Sequence, residues 1–192
     1  MCDDTITPNA QQAIVAQWAD GVEIVTSGST AETKWYLTSD GYFQIDAKGY
    51  LEDFSKMDTL LEYSKRIRFI TVSPGVDYMR PYTFYLMTHA KYLYLPESMA
   101  GYSYYWGITN ETTVLYPPNI YWAADIPQAQ SKAMLGDIDA DDMVKLSDYT
   151  AICKEIQGVN DLAFTEQQNI VADCNGDGAV DAFDLAILYH WM

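Results

Sequence analysis

Two clusters of oxygen-bearing side chains near the C-terminal end are the residues of this 192-residue chain best placed to do chemistry. In "ADCNGDGAVDAFD", Asp173, Asn175, Asp177, Asp181 and Asp184 stand at positions 1, 3, 5, 9 and 12 of a loop, with Gly178 at position 6. In "GDIDADDMVKLSD", Asp137, Asp139, Asp141 and Asp148 stand at positions 1, 3, 5 and 12 of an earlier copy. A tight loop turns alternate side chains inward, and hard oxygen donors at this spacing suit calcium. The position 7 carbonyls, of Met143 and Ala179, would each add a backbone ligand. Two ions are therefore expected. The loop at Asp137 is the weaker, because Lys145 occupies position 9 and Asp142 stands where a sharp turn favours glycine.

The elements that must hold these loops are short. Apolar Val144 and Val180 at position 8 would tuck each loop against the helix that follows it. After the first loop the spacing predicts a helix from about Leu146 to Gln157, stopped by Gly158 at the position where a left-handed residue ends helices. Its apolar positions 146, 149, 152, 153 and 156 are expected along one face. Thr165 with Gln168 three residues on forms a capping box for a short linking helix. The last helix would use Phe183, Ala186, Ile187 and Trp191, with Leu185, Leu188 and Tyr189 widening its apolar arc. Pro127 leaves little room for a helix entering the first loop, so each copy reads as a loop followed by one helix.

This arrangement resembles a dockerin over residues 136 to 192, down to an Asp at position 12 of both loops. The resemblance implies calcium-dependent binding to the cohesin domain of a scaffoldin, within a secreted, cellulosome-type complex for polysaccharide degradation. It also implies that the partner is read by positions 10 and 11 of each repeat, here Leu146, Ser147, Ala182 and Phe183. Lys154, Tyr189 and His190 follow on the same helices. Core packing is the competing reading for Phe183. Leu-Ser against Ala-Phe is a mismatched pair, which favours a single binding orientation.

The residues before this segment have a different texture, holding fourteen of the 16 tyrosines. A short helix is expected within "NAQQAIVAQWA". A β-hairpin is expected in "KWYLTSDGYFQIDAKGYL", because Asp-Gly supplies the positive φ of a tight turn. The apolar spacing of "LEDFSKMDTLLEYSKRI" is compatible with a helix. Strands running into Pro74, Pro96 and Pro117 then recur at the period of a solenoid. Residues 22 to 120 resemble the BspA-like class of leucine-rich surface repeats, most closely at Leu95-Pro96 and Tyr82-Thr83-Phe84, with the hairpin as the cap. Thr83 and the Tyr105-Trp106 pair depart from that pattern. The resemblance implies adhesion or protein binding without catalytic residues.

The expected fold class is therefore α+β, with a small β-rich, leucine-rich-repeat-like module over residues 1–133. An all-α dockerin carrying a duplicated calcium loop-helix motif would fill residues 134–192. Net charge is −16, and residues 134–192 hold 12 of the 27 acidic but only 2 of the 11 basic residues. That argues against nucleic acid, whose phosphates need clustered Lys and Arg. No run is long and apolar enough to span a membrane. The start, "MCDDTITPNA", lacks the basic and apolar regions of a secretory leader, so either the protein is cytosolic or its leader is absent from this sequence. The dockerin resemblance implies the second, with an extracellular or bacterial cell-surface location.

Cys2, Cys153 and Cys174 include no pair at CxxC spacing, which argues against zinc, and leave open either a Cys153–Cys174 disulfide or free thiols. No carboxylate pair for glycoside hydrolysis stands out by spacing, and His89 is expected to be structural or exposed, so no enzyme is expected. A polysaccharide-binding module stacking sugars on Trp106, Tyr104 and Tyr105, or a small carbohydrate-active enzyme, is the alternative. A calcium sensor would need a methionine-rich groove, and only Met134 and Met143 lie near the loops before the terminal Met192.

Overall fold

A computed structural model of the chain describes residues 21–30, 32–54, 57–101, 105–120, 131–159 and 163–192. The helix expected within residues 9–19 lies outside them, as do Cys2, Tyr104 and Pro127.

The Asp40-Gly41 turn does what its chemistry dictates. Gly41 adopts φ +99° and its N–H returns to the Thr38 carbonyl, joining strand β2 (Thr33–Thr38) to β3 (Tyr42–Ala47). Strand β1 (Ile24–Ser29), not foreseen in the sequence, pairs antiparallel with β2 and completes a meander. From β3 onward the pairing turns parallel through β5 (Phe69–Val72), β7 (Tyr92–Tyr94), β8 (Thr113–Tyr116) and β9 (Ser131–Met134). The sheet order is β1-β2-β3-β5-β7-β8-β9, with β4 (Gly49–Leu51) and β6 (Val76–Met79) paired in a second, two-stranded sheet. The parallel strands begin at residues 69, 92, 113 and 131. The proline period thus marks real turns of a solenoid, and β9 is one turn more than the prolines reveal.

The helical spacing of residues 51–67 does not produce a continuous helix. Leu51 ends β4, helix α1 spans only Asp58–Leu61, and a 3-10 turn covers Ser64–Arg66. Leu51, Phe54, Leu60 and Ile67 are nonetheless all buried in the repeat core. All four lie in the single coil between β3 and β5, whose irregular path and not a continuous helix brings them inward, and Met57 offers α1 no side-chain cap.

Side chains alternate across a strand, and both faces of the long sheet are covered. One face sends Trp35, Leu37, Phe43, Ile45, Ile70, Leu93 and Val114 into the repeat core, together with Phe84 and the fully buried Trp106. The opposite face carries Tyr42, Phe69 and Tyr92, whose rings stack in a row with centroids 4.2 and 5.3 Å apart. Tyr94 and Leu115 on this face join a second core with the C-terminal helical segment: α2 (Leu146–Ile156), α3 (Glu166–Ala172) and α4 (Ala182–Trp191). Ile152, Ile170, Val171, Ala172 and Leu188 are its buried helical members. The result is a mixed α+β chain, β-rich first and helical last.

Leu115 is fully buried between sheet and helices. Leu115→Ala is expected to lower stability by about 2–5 kcal/mol. Urea unfolding followed by helical circular dichroism and by tyrosine fluorescence should show one shared midpoint moving, since both halves lean on this side chain.

Candidate metal centre

Each loop is organised around two aspartates held by backbone amides, and the two copies repeat the same bonds. In loop one, Asp137 accepts from the N–H groups of Asp141 at 3.1 Å and Asp142 at 2.9 Å. Asp148 accepts from Ile138 and Lys145, both at 3.0 Å. In loop two, Asp173 accepts from Asp177 at 3.1 Å and Gly178 at 2.9 Å. Asp184 accepts from Cys174 and Asp181, both at 2.8 Å, and from Asn175 at 3.3 Å. The position 12 aspartate thus sits at the third residue of α2 or α4 and ties the helix start back to positions 2 and 9. Val144 and Val180 pack on the second core, as position 8 was expected to.

The backbone meets the turn demand in two places per loop. Ala140 and Gly176 at position 4 have φ +57° and +68°, and Asp142 and Gly178 at position 6 have φ +64° and +92°. Loop one holds non-glycine residues at both points, a strain of roughly 1 kcal/mol for the alanine.

Carboxylate oxygens of Asp137, Asp139 and Asp141 lie within 4.8 Å of one another, close enough to share a cation. Lys145 already answers part of this need: its ammonium pairs with Asp139 at 3.4 Å and with Asp141. In loop two the side chains of Asn175 and Asp177 meet at 2.9 Å. Asp173 and Asp184 are 3% and 0% exposed, and burial drives both carboxyls upward, Asp184 to about 7. Burial also raises Asp137 and Asp177. Buried carboxylates need a compensating cation to stay ionised, and oxygen-only donors in a flexible loop suit calcium. The residues present fit that ion.

Of the remaining expected ligands, Asp181 turns its carboxylate to the N-terminus of α4, accepting from Phe183 N–H at 2.7 Å. Met143 is exposed and Ala179 half-buried at position 7. Thr165 and Gln168 form the capping box of α3, and Gly158 ends α2 at φ +65°. Cys153 and Cys174 are free thiols, so the disulfide does not form.

Leu146, Ser147, Lys154, Ala182, Phe183, Tyr189 and His190 are all exposed. Core packing for Phe183 is therefore overturned, at 56% exposure, as is burial of Leu146 and Ile156 along α2. The buried pairs Asp148–Ile152 and Asp184–Leu188, each four residues apart, set the inward faces instead. The α4 sequence is apolar nearly all round and gives no direction by itself. On the repeat side, His89 is exposed and meets Thr88 at 3.1 Å. Trp106 is buried and cannot stack on a sugar.

A duplicated loop-helix unit with aspartate at position 12 defines a class of calcium-dependent module. In agreement, residues 135–190 match the dockerin type I domain. Domains of that family bind calcium and cohesin domains and are not themselves catalytic. Comparison with curated proteins gives no match. Among solved structures, a leucine-rich repeat protein from Eubacterium ventriosum ATCC 27560 matches over 59% of this chain, at 15% identity and a TM-score of 0.36. The match spans 27% of that structure's own chain. No helix among the described residues is long and apolar enough to cross a membrane.

Two measurements test the centre. Lys145→Gln is expected to raise calcium affinity at loop one roughly fivefold to tenfold, since it removes an ammonium from the cluster while keeping the stem. Calorimetric titration would read this as one site tightening and the other unchanged. Without calcium, the folded chain holds a proton on Asp184 that the unfolded chain has released, so stability should fall as pH rises from about 4 to about 7. With saturating calcium, which competes with protons, Tm should instead rise over that range. Melting curves in EDTA and in calcium check both signs.

Proposed function

We propose that the chain is a noncatalytic component of an extracellular, cellulosome-type complex. It is anchored by calcium-dependent binding of residues 134–192 to a scaffoldin cohesin. Residues 1–133 form an adhesion or protein-binding repeat module on the same anchor. The duplicated amide–carboxylate network in a segment matching the dockerin type I domain carries this reading. Two calcium ions are proposed, that at Asp137 bound more weakly. The ligands are Asp137, Asp139, Asp141, the Met143 carbonyl and Asp148 in loop one. Loop two supplies Asp173, Asn175, Asp177, the Ala179 carbonyl, Asp181 and Asp184.

The partner face is formed by Leu146, Ser147, Lys154, Ala182, Phe183, Tyr189 and His190. Exposure of large apolar groups supports it: Leu146, Phe183 and Tyr189 are 70%, 56% and 72% exposed at the surface of so acidic a segment. The unlike pairs Leu146-Ser147 and Ala182-Phe183 favour one orientation of the cohesin.

Calorimetry of the intact chain against a panel of cohesins, in calcium and after chelation, tests the proposal. One-to-one binding lost with the chelator is expected. Phe183→Ala or Leu146→Ala should weaken it by about 1–3 kcal/mol on whichever half faces the partner. Calcium binding without affinity for any cohesin would sink the docking function.

A further inference from the structure

Loop two is seated on the repeat sheet, and its seat is polar. Gly176, at position 4 of the loop, is buried. Its carbonyl accepts from Gln44 Nε2 of β3 at 2.7 Å and from Thr71 Oγ1 of β5 at 2.8 Å. The N–H of that same peptide unit belongs to Asp177. It points at Asp173 Oδ1 at 3.1 Å and donates to Asn175 Oδ1 at 2.9 Å, the side chains at positions 1 and 3. One planar amide therefore connects two side chains of the sheet with two cation ligands. Tyr94 of β7 adds its hydroxyl at 3.5 Å from Asp173 Oδ2.

The fit requires glycine. A Cβ on Gly176 would lie 2.8 Å from Thr71 Oγ1 and 2.9 Å from Tyr94 Cγ. Loop one has no such seat: its position 4 residue, Ala140, is exposed. A peptide unit is rigid, so fixing its carbonyl fixes the direction of its N–H. Hydrogen bonds at the carbonyl also polarise the unit and strengthen donation from the other end. A ligand cage already ordered loses less freedom when the ion enters.

We infer that Gln44 and Thr71 are positioning residues for the second cation loop. The repeat sheet orders loop two for calcium, and calcium in turn fastens the helical segment to the sheet. This rests on the calcium reading above. The reciprocity is a thermodynamic necessity, because whatever tightens the ion at the seat must tighten the seat when the ion binds. The working ligand of the sheet's outer face is then this chain's own loop. The stacked rings of Tyr42, Phe69 and Tyr92 are turned toward one another on the same face.

The test is calcium titration by calorimetry on the full chain. Thr71→Val, Gln44→Leu and the pair would each be measured, alongside Thr71→Ser, which keeps the hydroxyl. A parallel set carrying Asp139→Ala and Asp141→Ala leaves loop two to titrate alone. The pair should weaken loop two about tenfold, as expected for two lost hydrogen bonds, and leave loop one unchanged. Thr71→Ser should bind as the unaltered chain does. Unchanged affinity at loop two in the pair would overturn the inference and leave the calcium reading standing. Equal weakening at both loops, or failure of Thr71→Ser to bind normally, would mean general destabilisation and overturn it as well. An unaltered chain that binds no calcium would remove the calcium reading itself. The near-isosteric Thr71→Val keeps the test decisive should the pair fail to fold.

Discussion

Strand geometry sends alternate side chains to opposite faces, and in this molecule each face contributes to a core. The face carrying Phe43, Ile70, Leu93 and Val114 closes the repeat core. The other face, through Tyr94 and Leu115, closes a second core with Ile152, Ile170 and Leu188. A helical segment with two cation loops has little apolar interior of its own. Here it borrows one from the sheet. The sheet in turn is spared an exposed row of aromatic side chains. Neither half would keep its present surface alone, because each supplies the other's missing layer.

Electrostatics sets a second condition on the same junction. Asp173 and Asp184 are buried beside the sheet, where an unpaired carboxylate is expensive. Backbone amides satisfy their oxygens but carry no net charge, so the segment is tuned to take up a cation. Loop one meets the same problem differently. It also buries Asp137 and Asp148, but it leaves Asp139 and Asp141 exposed and brings Lys145 to them. The two loops share a bonding diagram but have unlike surroundings, which is why an internal duplication need not yield equal sites.

The turns of the two acidic loops were legible from their spacing. Their spacing is a local property, and Asp137, Asp148, Asp173 and Asp184 hold the amides that such spacing demands. The hairpin at Asp40-Gly41 was legible for the same reason, as were the capping box at Thr165 and the stop at Gly158. What failed depends on distant neighbours. Core packing competed with partner contact for Phe183, and Leu146 fell within the apolar stripe of its helix, because both helices are apolar on several sides; only the buried Asp184 and Asp148 decide the direction. Strand β9 lacks the proline that marks the other turns, though continuing the period from Thr113 would have reached it. The role of Tyr42, Phe69 and Tyr92 was hidden because a strand apolar on both faces does not announce what covers the second. Gln44 and Thr71 carried no local signal at all, since their partner lies more than a hundred residues away.

The short path from β9 to loop one has a mechanical meaning. Strand β9 ends at Met134 while still paired with Tyr116, and the first aspartate is Asp137. There is no slack between sheet and loop. Proteins tethered by flexible linkers sample a cloud of positions, and their encounter with a neighbour is governed by effective concentration. A repeat joined in this way has a heading instead. Held by its helical end, it would present its remaining surfaces at a fixed angle and a fixed reach, and neighbours on a shared support would meet it either in register or not at all.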